Sequence, residues 1–117
     1  TMDASDDGQD SRWLLQLLRK MDGGPQMYLG AEDIETLRAF VGGYHLALLD
    51  AGLNGSERIL VEFGEWLAAT DEGRQLKVPP NAAWWYVIPR IDPSAKNVRT
   101  FYRLFRRFLV ETGRPPL

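Results

Sequence analysis

Apolar side chains in this chain recur every three or four residues, in stretches broken by glycine and proline, and no pair of strand-like stretches accompanies them. That rhythm belongs to amphipathic helices. It predicts an all-α fold, a compact single-domain bundle of about five helices. The length of 117 residues suits one domain. The domain boundaries read as an acidic, disordered tail over 1–10, which has almost nothing to bury, and a helical domain over 11–117.

The first helix is expected over 11–21, capped by Ser11, with Trp13, Leu14, Leu17, Leu18 and Met21 as its apolar face. Asp22-Gly23-Gly24-Pro25 breaks it. The second begins near Ala31, with Ile34, Leu37, Val41, Tyr44 and Leu48 as one buried stripe. Its central Gly42-Gly43 pair permits close packing of another helix or marks a kink, and Gly52 ends it. Ser56 is expected to cap a third helix over 56–71, burying Ile59, Leu60, Phe63, Trp66 and Leu67 and stopped by Asp71-Glu72-Gly73. A short fourth helix over 82–88 carries Trp84 and Trp85 and is limited by Pro89. A strand is the rival reading there, because Trp-Trp-Tyr-Val-Ile has high β propensity, but it lacks a partner strand. Asp92-Pro93 is a helix-start signal. It predicts a fifth helix over 93–112, with Val98, Phe101, Tyr102, Phe105, Phe108 and Leu109 facing the core.

Charge divides unevenly along the chain. Residues 1–10 sum to −4, residues 11–89 to −3 and residues 90–117 to +5, for a net −2. A small negative net charge argues against nucleic-acid binding by bulk attraction. There is no cysteine and one histidine, so disulfides, thiolate nucleophiles and a two-histidine metal site are excluded. No cofactor and no metal are expected. No stretch approaches a membrane span, and the acidic start lacks the basic and apolar regions of a secretory signal. The expected compartment is the cytoplasm, and the expected oligomeric state is a monomer or weak dimer.

Few residues are placed to carry chemistry. His45, the lone imidazole, shows no sequence cue for a nucleophile or carboxylate beside it, so it reads as structural and the chain does not read as an enzyme. Glu57, Glu62 and Glu65 make the third helix acidic, which is either a solvated face or a contact patch for a basic partner. Trp84 and Trp85, neighbours on a helix, point about 100° apart, so one of them is expected at the surface or at an interface. Arg99, Arg103 and Arg106 form a basic row on the last helix with Arg107 at its border. The row either binds nucleic acid or pairs with the chain's own acidic residues.

The segment Gly24-Pro25-Gln26-Met27-Tyr28-Leu29-Gly30, followed by a helix that reaches Gly43-Tyr44, then Glu62-Phe63, Trp84 or Trp85, and the aromatic run Phe101 to Phe108, resembles a group of small bacterial proteins. Those proteins carry an Arg-Pro-x-Met-Tyr-(Leu/Ile)-Gly motif and look like immunity partners in toxin systems. Gly24 stands where their motif has arginine, so no role of that arginine transfers. The resemblance implies a cytosolic protein that neutralises a cognate toxin domain by stoichiometric occlusion. The partner surface is then expected on Glu57, Glu62 and Glu65, with Trp84 and Trp85 supplying an aromatic anchor. The alternative is a nucleic-acid-binding regulator that uses Arg99, Arg103, Arg106 and Arg107.

Overall fold

The computed structural model describes residues 11–24, 29–53 and 55–117. The acidic tail over 1–10, residues 25–28 of the Pro-x-Met-Tyr-Leu-Gly motif, and Asn54 lie outside the described residues. Among the described residues there are six helices and no strand. In chain order these are α1 (Arg12–Asp22), α2 (Ile34–Asp50), α3 (Arg58–Ala69), α4 (Asp71–Gln75), α5 (Trp84–Ile91) and α6 (Val98–Glu111). The fold is all-α, as the apolar rhythm predicts, with one short helix more than expected. The rival strand over the Trp84–Ile88 run is a helix.

α6 and α3 carry the middle of the core. Phe63 of α3 meets Phe101, Phe105 and Phe108 of α6 at ring-centroid distances of 5.5, 5.1 and 5.4 Å. The first two contacts are edge-to-face, the arrangement that opposed ring quadrupoles favour. α1 adds Leu14, Leu17, Leu18 and Met21, and α5 adds Val87 and Ile88. The Tyr102 hydroxyl donates to the Leu18 carbonyl at 2.8 Å, tying α6 to α1 inside the core.

Several helix boundaries differ from the sequence expectation by two residues or more, and three of them have a clear local reason. α3 stops at Ala69 rather than 71, because Thr70 turns extended and its Oγ1 accepts from Gly73 N at 3.2 Å. Asp71-Glu72-Gly73 therefore opens α4 instead of ending α3. Gly73 is required at this corner, since a Cβ there would lie 2.2 Å from the Leu67 carbonyl oxygen. α5 runs two residues past Pro89 to Ile91, and the Arg90 guanidinium donates to the Tyr86 carbonyl at 2.9 Å. Proline removes one main-chain donor, and a helix this near its end has few further bonds to lose.

α6 begins at Val98, five residues after Pro93. Asp92 uses its carboxylate on a turn instead, accepting from Ser94 N at 3.0 Å and from Thr100 Oγ1 at 2.5 Å. The Thr100 hydroxyl, then Ser94, hold that carboxyl below its ordinary value. The buried Asn97 follows. Its Oδ1 accepts from Ile34 N at 2.9 Å, its Nδ2 donates to the Asp92 carbonyl at 3.2 Å, and Val98 N donates to the Glu32 carbonyl at 2.9 Å. The first turns of α2 and α6 are thereby stitched together. Asp33 completes the α2 cap by accepting from Thr36 N at 2.9 Å.

α2 is two helices in energetic terms. Its fully buried residues are Ile34, Leu37 and Val41, all in its first half. Tyr44 and Leu48, expected to continue the buried stripe, are exposed and half-buried, and no residue from Gly42 to Asp50 is fully buried. A Cβ built at Gly42 or Gly43 would meet nothing within 4 Å, so no helix of the described chain packs on the glycine pair.

Candidate interaction surface

Ring stacking on Trp13 and the contacts of His45 tie the second half of α2 to the rest of the chain. Trp13 of α1 stacks on Tyr44 and His45 at centroid distances of 5.8 and 5.5 Å. His45 Nε2 lies 3.2 Å from the Gly55 carbonyl oxygen, and Nδ1 lies 3.9 Å from Glu57 Oε1. The sequence shows no carboxylate beside His45; the turn before α3 brings Glu57 to it. Nucleophilic catalysis also requires a nucleophile within hydrogen-bond reach of the base. The contacts of His45 among the described residues are a ring, a carbonyl and a carboxylate, which join α2 to the 55–57 turn. Among the described residues, no group of three or more His, Asp or Glu side chains is disposed to hold a metal.

The three glutamates expected to form one patch separate by face. Glu57, Val61 and Glu65 stand four residues apart and share one side of α3. Glu65 and Val61 are exposed there, Val61 to 62%. Glu62 lies on the adjacent side, held by Arg114 and by Arg58 Nε at 3.4 Å. It serves the join between α3 and the C-terminal turn.

The tryptophans divide as neighbours on a helix must. Trp84 is only 7% exposed and meets Phe101 edge-on at 5.1 Å. Trp85 is half-buried, with the Arg38 guanidinium of α2 3.5 Å from its ring centroid. Gly64 makes this possible. A Cβ there would lie 2.7 Å from the Ala82 carbonyl oxygen, so only glycine lets the 81–84 segment close on α3. A cleft of about 220 Å³ results, bordered by Glu57, Val61, Trp84 and Trp85. Four of the five expected contact residues thus lie along one side of α3 and the start of α5, and Glu62 lies apart.

The sequence reading missed a further set. Leu46 and Leu49 of α2 and Leu53 just beyond it are 63, 48 and 55% exposed. They continue the same half of α2 that adjoins Glu57 through His45. The signal was present: α2 is apolar on more than one face, and a helix with neighbours on one side cannot bury them all.

The arginine row is largely paired within the chain. Arg99 bonds Glu32 at 2.9 Å, Arg106 bonds Asp22, and Arg107 bonds Glu72 and Glu111 at 3.2 and 3.1 Å. Arg103 is exposed and has no ion-pair partner among the described residues. Glu72 sits below its ordinary carboxyl value, through a hydrogen bond from its own backbone N–H and then through Arg107 and Arg103.

No helix among the described residues is long and apolar enough to cross a membrane. Compared with protein-family models, curated proteins and solved structures, the chain matches none of them.

Proposed function

We propose that this chain is a binding protein of the immunity type, which neutralises a cognate bacterial toxin domain by covering its active site. One observation carries the reading. The second half of α2 and the turn after it present Leu46, Leu49 and Leu53 to solvent beside an acidic and aromatic cleft, and no packing among the described residues buries them. Exposed apolar clusters rimmed by polar groups mark interaction sites. The composition of this one specifies its partner's chemistry. The leucines and Trp85 supply apolar area, while Glu57 and Glu65 attract a basic surface, the kind found on enzymes that act on nucleic acids. Inhibition is stoichiometric: a specific interface removes about 1,200–2,000 Å² from solvent and leaves no room for substrate.

The test is co-expression with toxic domains of large secreted bacterial proteins, beginning with any encoded beside the gene for this chain. The wild type restores growth and copurifies with the cognate domain in a one-to-one complex. Leu46→Glu with Leu49→Glu, or Glu65→Lys, keeps the fold by circular dichroism and loses protection. Glu62→Lys is a poor probe, because it breaks the contacts with Arg58 and Arg114. Failure of the wild type to protect, or full protection by the leucine variant, refutes the reading. Tight, salt-sensitive retardation of DNA or RNA would favour the arginine row instead.

A further inference from the structure

A second concavity, built from other elements, has a different lining. α1 turns Leu14, Leu17, Leu18 and Met21 to the core, and its adjoining side carries Arg12, Leu15, Gln16 and Arg19. At the far end of the chain, Gly113 takes a left-handed conformation (φ 72°), and Arg114 N donates to the Leu109 carbonyl at 2.8 Å. That turn is open to glycine. It brings Arg114 and Pro115 opposite α1, and between them lies a cavity of about 600 Å³.

The apolar lining comes from Leu15, Ile59, Leu109 and Pro115, and the cationic lining from Arg12, Arg19 and Arg114. Arg114 is bound to Glu62, which leaves Arg12 and Arg19 exposed and without ion-pair partners among the described residues. Ser11 also lines the cavity, and its buried hydroxyl has no hydrogen-bond partner among the described residues. With Arg12, Gln16 and Arg19 exposed along its rim, this concavity opens to solvent. It falls within the roughly 300–1,000 Å³ usual for small-molecule sites.

We propose that this cavity binds an amphipathic anion, a small molecule with an apolar body and a single carboxylate or phosphate head. The leucine, isoleucine and proline surfaces take the body out of water. Arg12 and Arg19 stand two helical turns apart, roughly 10 Å along the axis, near enough for both flexible guanidiniums to converge on one head. Guanidinium is the donor best shaped for either head group. The site shares no lining residue with the α3–α5 cleft and stands independently of the toxin-binding reading.

Isothermal titration of the full chain with dodecanoate, dodecyl phosphate, dodecanol and dodecyltrimethylammonium tests it. At least one anion binds saturably at one per chain, and the tighter of the two identifies the head group. Dodecanol binds at least roughly tenfold more weakly, and the cation does not bind. Raising NaCl from about 0.05 to about 0.5 M weakens anion binding severalfold and spares dodecanol. Arg12→Gln with Arg19→Gln lowers anion affinity by about tenfold at an unchanged melting temperature, and the corresponding lysine pair, which keeps the charge but not the planar fork, restores only part of it. Absence of saturable binding by both anions, equal affinity for the cation, or salt-independent binding overturns the proposal.

Discussion

Single residues in this molecule act through what surrounds them. Tyr102 is buried in α6, and burial raises its phenol above the ordinary 10.0. Past pH 10.0 the unfolded chain releases a proton that the folded chain retains, so stability falls as pH rises further. Tyr102→Phe should lower stability at neutral pH by about 1 kcal/mol, the usual worth of one internal hydrogen bond. It should also flatten the alkaline loss, and thermal melts at neutral and alkaline pH read both effects. The glycines separate just as sharply. Gly64→Ala forces a Cβ to within 2.7 Å of a backbone oxygen, whereas Gly43→Ala adds one in open space. The first should destabilise by about 1–3 kcal/mol or more, and the second should stabilise by about 0.5–1 kcal/mol. Urea midpoints with unchanged slopes would verify the contrast.

Among the elements, the join between α2 and α6 depends on Asn97, which supplies the acceptor for Ile34 N across 63 positions of chain. Asn97→Ala leaves a buried donor unpaired and should cost about 1–3 kcal/mol; denaturant unfolding measures it. Asp92-Pro93 was legible as a start signal, yet the helix starts at Val98 because Asn97 is needed at that join before α6 can begin. The end of α3 was displaced in the same way, since Thr70 caps a new helix rather than letting the old one run on. Local signals announce that a boundary exists. Which of two adjacent polar residues becomes the cap depends on what packs beside it.

At the scale of the whole molecule, much of the basic charge near the C-terminus is paired among the described residues. Arg99, Arg106, Arg107 and Arg114, all from the basic C-terminal quarter, reach Glu32, Asp22, Glu72 and Glu62 on three other helices and the α2 lead-in. Each such pair is worth about 0–1 kcal/mol at the surface and is screened by salt. Together they should give a melting temperature that falls by several degrees from low to high NaCl. Replacing Arg99 with Gln should remove only a small part of that dependence. The radius of gyration of 14.1 Å suits one folded unit.

The apolar periodicity by itself determined the helical class and the inner faces of α1, α3 and α6, because a spacing of 3.6 residues leaves a buried stripe only one geometry. It also placed Trp84 and Trp85 on different sides, since adjacent helical residues must diverge. Only the tertiary structure decided that α2 is covered for half its length, that Glu62 belongs to the C-terminal turn while Glu57 lines the cleft and Glu65 stands exposed further along α3, and that Arg12 and Arg19 meet Arg114 around a cavity. Burial depends on which neighbours arrive, and those neighbours come from distant parts of the chain that no local spacing records.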